Sequence, residues 1–337
     1  LDRHPLVFFH LVTALGALLI GSLVMLRRKG TASHRAWGWA WVVLMAATTV
    51  ASGVVLSLAK DWLTERADAV LAAIPGLMML ALAGGVTQHI TRNGLADPSL
   101  IGVKAGAALC IVALILAWPA APLALRPVVG LVGGLAAGLS VVLLARGASP
   151  LKFIMVGVGL SWCLSSMLVV MLTSADIRSL QRAMIWLAGS LEGANWPTVQ
   201  LAAAILSGSA IILLSLARHA ELEDMGDAKA SALGVRLSWV RISCLVATVF
   251  LVAGAVSVAG GLGFVGLIAP HLARILPRQD LRGRLISATL IGALLVLAAD
   301  LLGAGLFAPI RLPVGVSLAM IGAPLLVLLL WLRRNRI

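Results

Sequence analysis

Apolar segments long enough to cross a lipid bilayer recur along the whole of this 337-residue chain. A transmembrane helix needs roughly 20 consecutive, mostly apolar residues, and no polar stretch between the segments is long enough to fold as a separate soluble domain. The sequence predicts an all-α integral membrane protein, a polytopic bundle of about 10–11 transmembrane helices. The windows lie near 6–26, 37–58, 69–90, 100–118, 124–145, 151–172, 197–217, 237–258, 262–276, 283–303 and 311–332, with a partial helix near 177–190.

The composition points to a chain that is solvated mainly by lipid. Hydrophobic residues make up 61% of the chain and charged residues only 12%, with a mean hydropathy of +1.06, whereas an ordinary soluble domain is about one quarter charged. The cysteines Cys110, Cys163 and Cys244 each fall inside an apolar segment. This placement favours small core residues over metal ligands or disulfide partners.

Lysine and arginine are distributed unevenly between the loops. Eighteen of the 26 basic residues fall in one alternating set of loops that includes the C-terminal tail, and seven fall in the opposite set. Since basic loops stay in the cytoplasm, we expect a cytoplasmic C-terminus and, with an odd number of spans, an N-terminus outside. The same bias explains the net charge of +13 without a nucleic-acid partner, which would need a basic stripe on a soluble face.

The stretch "AGGLGFVGLIAPHLAR", residues 259–274, carries Gly261, Gly263 and Gly266 in G-x-G-x-x-G spacing. A dinucleotide fingerprint needs a strand before it, a helix after it and an acidic residue about 20 positions further on. Here a membrane-length apolar segment precedes the glycines instead. We therefore interpret them as a tight reversal that brings neighbouring spans close together, in a bundle that could line a path. On this interpretation a leucine at Gly263 impairs folding or transport.

Pro270 follows these glycines inside the same apolar segment. A proline has no backbone N–H, so it interrupts a helix and leaves one carbonyl without its helical partner. Inside a membrane that carbonyl must be satisfied by a neighbour or by a cavity.

Asp300 is the sharpest intramembrane polar candidate, since it follows "ALLVLAA" near the outer end of a span. Such residues are costly and often functional; Asp300 could cap a helix, face a path or pair with an arginine, and pairing is favoured. The chain contains no H-E-x-x-H motif, no paired carboxylates and no activated Ser or Cys constellation. It therefore shows no apparatus for enzymatic chemistry.

Five stretches occur here in an order typical of one family. They read "QHITRNGLADPSLIGVKAGAAL" (88–109), "IWLAGSLEGANW" (185–196), "MGDAKASALGV" (225–235), "GGLGFVGLIAPHLARIL" (260–276) and "LPVGVSLAMIGAPLLVLLL" (312–330). Together they resemble the FecCD-like permeases, the membrane subunits of type II ABC importers for iron chelates (siderophores, haem) and vitamin B12. Gly94 stands where that family usually has proline. The resemblance covers about residues 66–337.

The resemblance implies a type II ABC importer permease fold and a transport function. The chain would be the membrane-spanning subunit that translocates an iron chelate, or a related chelate such as cobalamin, by alternating access in a bacterial inner membrane. Besides the lipid bilayer, the implied partners are an ABC ATPase subunit, an extracytoplasmic solute-binding protein and a second permease copy. No G-x-x-x-x-G-K-[ST] phosphate loop is present, so ATP and magnesium are expected on the ATPase and no cofactor is expected on this chain.

The polar loop 218–241 is the best candidate for the ATPase contact. In the family this position forms the coupling helices that sit in a cleft of the ATPase, and the residues that match the motif are Gly226, Asp227, Ala230, Leu233 and Gly234. A small residue such as Ala230 lets a helix dock closely, and the flanking glycines let the chain turn. The alternative is an ordinary solvated loop that only keeps the protein oriented.

On the outer face the family docks its solute-binding protein, partly through basic permease residues. Arg66 lies near the first arginine of the family's L-R-L-P-R motif, but this sequence reads "ERADAV". Arg311 stands where the family usually has Glu, and the arginine that usually follows the aspartate matching Asp300 is here Ala304. Arg66 and Arg311 are docking candidates that could equally be solvated loop charges.

Residues 1–65, with two predicted spans, do not resemble the usual beginning of the family. We therefore divide the chain into an atypical N-terminal membrane segment, 1–65, and a permease core, 66–337. The competing interpretations are an ion-coupled carrier and an inactive structural paralogue without an ATPase. An ion-coupled carrier places carboxylates mid-span at broken helices, and only Asp300 approaches that arrangement.

Overall fold

The computed structural model describes residues 60–122, 124–145, 150–189, 196–276, 280–305 and 312–333. The chain divides into two compact units, one formed by Leu1–Asp68 with Leu302–Arg311 and the other by Ala69–Leu301 with Leu312–Ile337. Most of the first unit, including the predicted spans 6–26 and 37–58, lies outside the described residues.

Every regular element in the described ranges is helical. The α-helices are α1 (Lys60–Ile90), α2 (Val103–Ala117), α3 (Leu125–Leu144), α4 (Pro150–Thr173), α5 (Ile177–Leu187), α6 (Trp196–Glu221), α7 (Asp227–Ala232), α8 (Leu237–Ala259), α9 (Val265–Ala273), α10 (Leu281–Gly305) and α11 (Val314–Arg333). Short 3-10 helices, Pro98–Ile101 and Leu222–Met225, precede α2 and α7.

Five of these helices are long and apolar enough to cross a membrane: α3, α4, α6, α8 and α10. Shorter apolar helical stretches lie at Ile74–Ile90, Val103–Ala117 and Val314–Leu329. The long helices coincide with predicted windows to within a few residues, because a run of about 20 apolar residues has few ways to satisfy its backbone in lipid other than as a helix. The prediction of an all-α membrane bundle is confirmed.

Helix α8 is the most buried of the long helices. It packs against α2, α3 and α6, and side chains such as Val249, Leu251 and Val252 are fully buried. Small residues allow the close approach, since a Cβ added at Gly134 would meet Ala253 at 3.0 Å. This is the packing that membrane helices use where lipid removes the hydrophobic drive for association.

Large apolar side chains cover the outside of the bundle. Trp162 on α4 is 75% exposed, Leu294 on α10 is 65% exposed and Val327 on α11 is 66% exposed. A water-soluble monomer seldom exposes apolar surface on this scale. These surfaces suit lipid or another membrane-embedded protein, and the chain is a multi-pass membrane protein.

Candidate functional site

The residues between α6 and α8 form two short helices, with a glycine turn after each of them. The 3-10 helix Leu222–Met225 leads into Gly226. The short helix α7 follows and ends before Gly234. Both glycines have left-handed backbones, with φ of 96° at Gly226 and 83° at Gly234, a conformation that costs glycine little and other residues more. The two turns predicted from the glycines are therefore present, and they bound a segment, residues 222–234, that projects from the bundle.

An ion-pair network fastens this 222–234 segment to two long helices. The Asp227 carboxylate accepts hydrogen bonds from Arg241 of α8 at 2.9 Å and from Arg92, which follows α1, at 3.1 Å. Arg241 also donates from Nε to Glu223 at 3.3 Å, and Arg92 donates to the Glu223 backbone carbonyl at 2.9 Å. One end of the segment is thus held by charge-assisted bonds from both sides.

Three further contacts hold the end of α6 and the start of the segment. The His89 ring nitrogen Nε2 lies 3.0 Å from the carbonyl oxygen of Ala220, and Nδ1 lies 3.9 Å from Asp224. The Leu281 backbone N–H, at the start of α10, donates to Glu221 at 3.2 Å. Three helices besides α6 therefore converge on residues 220–227.

Arg92 occupies an unusual backbone position. Its φ of 51° places a non-glycine residue in the left-handed region, where helix ends favour Gly or Asn. Its N–H bonds to the His89 carbonyl at 3.1 Å, and that of Asn93 to the Gln88 carbonyl at 3.2 Å. An arginine at this C-terminal turn of α1 has the side chain that reaches Asp227, which glycine would lack.

Arg241 and Arg92 lower the pKa of the Asp227 carboxyl that they bind. The hydrogen bond from Arg241, followed by the charges of Arg241 and Arg92, holds the pKa of the Asp227 carboxyl below its ordinary value of 3.8. Asp227 is therefore ionised at neutral pH, and its two ion pairs are fully formed there.

The opposite side of the 222–234 segment presents apolar side chains to solvent. Met225 is 57% exposed and Leu233 is 63% exposed, whereas Ala230 is fully buried against the rest of the chain. An apolar pair on a polar, mixed-charge projection is typical of a protein contact surface. The structure therefore gives Ala230 and Leu233 different environments: Ala230 allows the segment to approach the bundle, and Leu233 faces away from it.

A second cluster lies at α9, where Pro270 interrupts the helical hydrogen bonding. The carbonyl four residues earlier belongs to Gly266, and Gln88 of α1 donates to it at 3.4 Å and to the Leu267 carbonyl at 3.1 Å. Gln88 in turn accepts a hydrogen bond from Arg274 at 2.6 Å, and its side chain is 1% exposed. The expectation that a neighbour satisfies the carbonyl freed by Pro270 is confirmed.

The glycines of this turn differ from one another. A Cβ at Gly266 would meet Pro98 at 2.8 Å and the Leu80 carbonyl at 3.0 Å, and one at Gly261 would meet the Leu187 carbonyl. A Cβ at Gly263 would meet no heavy atom of the described residues within 4 Å. Close packing of the kind expected at Gly263 is thus not found among the described residues. The left-handed residues of the turn are Gly260 and Phe264, with φ of 73° and 66°.

The stretch 93–98 packs against this turn through Pro98, which lies next to Gly266. The Asn93 side chain accepts from the Leu95 N–H at 2.9 Å, and Asp97 caps the 3-10 helix by accepting from the Ser99 N–H at 2.7 Å. Pro98 follows the cap, at a position where its missing N–H costs nothing, and packs against Gly266. These side chains shape the backbone that receives α9.

Asp300 lies in α10 and is buried, at 8% exposure. Arg66 belongs to α1, but its side chain lies outside the described part of the structure, and so does the whole of Arg311. Within the described ranges no group of three or more His, Cys, Asp or Glu side chains could hold a metal ion.

Comparison with known proteins decides the family. The model of the FecCD transport family matches residues 56–332. The chain belongs to the FecCD transport family. It is 36% identical over 279 residues to the "probable siderophore transport system permease protein" of Bacillus subtilis, covering 80% of this chain and 81% of that protein. It is also 36% identical over 251 residues to the Fe(3+) dicitrate transport system permease of Escherichia coli, covering 74% and 79%.

A solved structure shares the fold of this FecCD family member. A metal-chelate type ABC transporter, in an inward-facing conformation, superposes with a TM-score of 0.74 at 30% identity, covering 79% of this chain and 85% of that one. The all-helical bundle is therefore a type II ABC importer permease fold, and the chain is a transport permease subunit rather than an enzyme.

Sequence reasoning missed three residues that the structure places at the centre of the site. Gln88 and Arg92 are four residues apart, which puts them near one face at the end of α1, and both belong to the family-like stretch 88–109. Arg241, one turn into α8, carried no signal beyond its charge. Their partners are distant in sequence, so only the folded FecCD bundle identifies them.

Proposed function

We propose that this FecCD family member is the membrane-spanning subunit of an ATP-driven importer of ferric chelates. The observation that carries the proposal is the 222–234 segment, which is held by ion pairs to α1 and α8 and exposes Met225 and Leu233. Such a projection can pass a displacement from a docked protein into the bundle. The relatives that transport siderophores and ferric dicitrate support the choice of cargo.

The proposed partners follow from this role. An ABC ATPase, carrying ATP and magnesium, docks on the 222–234 segment through Gly226, Asp227, Ala230, Leu233 and Gly234. A second permease copy encloses the translocation path, and an extracytoplasmic solute-binding protein delivers the chelate near Arg66 and Arg311. In this proposal the 222–234 segment and the C-terminus lie in the cytoplasm, as the distribution of basic residues between the loops favours, with the protein in the bacterial cell membrane.

Other sequence predictions remain part of the proposal. Residues 66–337 act as the permease core, with 1–65 as an additional membrane segment. The turn at Gly261, Gly263, Gly266 and Pro270 positions α9 beside the path, and Asp300 forms a pair inside the membrane. Haem and cobalamin are the alternative cargoes, and an ion-coupled carrier or an inactive paralogue is the alternative function.

The test of the proposal is reconstitution with the ATPase. Leu233→Asp changes the exposed side of the segment while leaving its ion pairs in place, so we expect it to abolish ATPase co-purification and ferric siderophore uptake in proteoliposomes. Ile177→Asp, at a side chain that is 83% exposed on α5, is the matched control and retains both. Normal uptake by Leu233→Asp, or an ATPase that binds neither variant nor wild type, would reject ATP-driven coupling through this segment.

A further inference from the structure

A basic cavity of about 280 Å³ lies where the ends of α1, α9 and α10 meet. Among the described residues its lining includes three arginines from separate parts of the chain, Arg92, Arg274 and Arg284, together with His89 and one carboxylate, that of Asp224. We call this cavity the arginine cleft. Arginine presents fixed, planar donors that suit phosphate and carboxylate oxygens.

The arginines of the cleft differ in the hydrogen bonds and ion pairs that they make within the protein. Arg92 pairs with Asp227, and Arg274 donates to Gln88. Arg284 has a buried Nε with no hydrogen-bond partner among the described residues. A buried donor without an acceptor costs free energy, so the cleft favours an anionic occupant that can accept from Arg284.

An apolar groove of about 290 Å³ lies along α1 and α10, further from the helix ends that form the arginine cleft. Met78 and Leu82 of α1 and Ile286 and Leu290 of α10 line it, with side chains of α6. Leu82 precedes Gly85 of the cleft by three residues, about 4.5 Å along a helix axis. The side chains Ile286, Leu290 and Leu294 continue along α10 with exposures of 49%, 55% and 65%.

A charged cavity at a helix end and an apolar groove along the same helices, about one helical turn away, together match the two parts of an amphiphile. We propose that the arginine cleft binds the phosphate of an anionic phospholipid, whose acyl chain lies in the groove between α1, α6 and α10. Basic clusters at the membrane boundary attract anionic headgroups by about 1 kcal/mol per Lys or Arg. A protein carboxylate or a free phosphate would fill the cleft but would leave the groove unused.

The test measures lipid retention by the full-length chain. Purified, delipidated protein in detergent is titrated with dioleoyl phosphatidylglycerol or dioleoyl phosphatidylcholine, and bound lipid is counted by native mass spectrometry. We expect one phosphatidylglycerol to be retained in preference to phosphatidylcholine. Arg284→Gln should weaken its retention about fivefold, the equivalent of the lost arginine, whereas Arg284→Lys and the control Arg236→Gln, at an exposed arginine outside the cleft, should keep it.

Three outcomes would overturn the proposal. Equal retention of the two lipids would show that the cleft does not select an anion. Displacement of the lipid by inorganic phosphate, or equal binding of dihexanoyl and dioleoyl phosphatidylglycerol, would show a free-phosphate site without the groove. Unchanged lipid binding but lost ATPase association in Arg284→Gln would assign the cleft to an acidic side chain of the protein partner. The chain-length comparison uses wild-type protein, so it decides the question even where a variant fails to fold.

Discussion

The Gln88 side-chain amide donates to the Gly266 carbonyl at 3.4 Å across 178 positions of sequence. Pro270 cannot supply the helical N–H that this carbonyl would otherwise accept, so an amide on α1 does so instead. The two helices also approach closely there, because a Cβ at Gly84 would overlap the Gly266 carbonyl. Helix α1 therefore supplies the hydrogen-bond donor that α9 lacks at the point where Pro270 interrupts it.

Replacing Gln88 tests this relationship. Gln88→Leu removes the donor in a buried site, and we expect it to lower the free energy of unfolding by about 1–3 kcal/mol. Pro270→Ala restores an N–H that can reach Gly266 within α9. Thermal denaturation in detergent should therefore show that Gln88→Leu costs less in a Pro270→Ala background than in wild type, and strictly additive effects would contradict the assignment.

The two glycines Gly266 and Gly263 form a matched pair for a packing test. Gly266→Ala places a methyl group against Pro98 and the Leu80 carbonyl, and overpacking of this kind costs about 1–3 kcal/mol. Gly263→Ala adds the same methyl where no heavy atom in the described part of the chain lies within 4 Å. We expect a lower thermal midpoint only for Gly266→Ala, and an equal loss in both variants would show that the spacing of the glycines, not the packing, matters.

Arg241 and Arg92 should contribute unequally to the stability of the 222–234 segment. Arg241→Gln leaves Glu223, whose side chain is 5% exposed, without its charged partner, at a cost of about 1.5–3 kcal/mol. Arg92 and Asp227 are both more than half exposed, and such pairs contribute about 1 kcal/mol or less. Hydrogen exchange of residues 222–234 should increase more in Arg241→Gln than in Arg92→Gln, and the reverse order would make Arg92 the principal anchor.

The acid dependence of the segment should follow Asp227. Because its folded pKa lies below 3.8, the carboxylate stabilises the folded segment above the unfolded pKa, and this contribution is lost as the pH falls through the lower folded value. Amide exchange of residues 222–234, corrected for its intrinsic pH dependence, should be constant from about pH 8 to 5 and rise below about pH 4. Asp227→Asn should lack this rise, whereas a transition near neutral pH in wild type would assign control to another group.

The sequence predicted those features that depend on local physics. The long apolar helices follow from segment length, and the turns at Gly226 and Gly234 follow from the backbone freedom of glycine. The partner of the carbonyl freed by Pro270 was expected, but its identity was not. Gln88 lies on a helix whose position against α9 is set by tertiary packing. The pairing of Arg241 with Asp227 likewise depends on how α8 packs beside the 222–234 segment.

Gly263 shows why spacing alone was insufficient. The G-x-G-x-x-G pattern treats its three glycines alike, but among the described residues a neighbouring backbone lies close to Gly261 and Gly266 and not to Gly263. Which face of a short, irregular stretch meets another helix depends on the path of the chain through Gly260 and Phe264. That path includes a left-handed phenylalanine, a conformation that residue preferences alone would not suggest.

Arg241 joins the 222–234 segment to α8 rather than to a helix at the rim of the bundle. A displacement of the 222–234 segment is therefore transmitted directly to α8, which packs against α2, α3 and α6. The most buried of the long helices therefore responds directly when a partner moves this segment, together with α1, which holds the segment through Arg92.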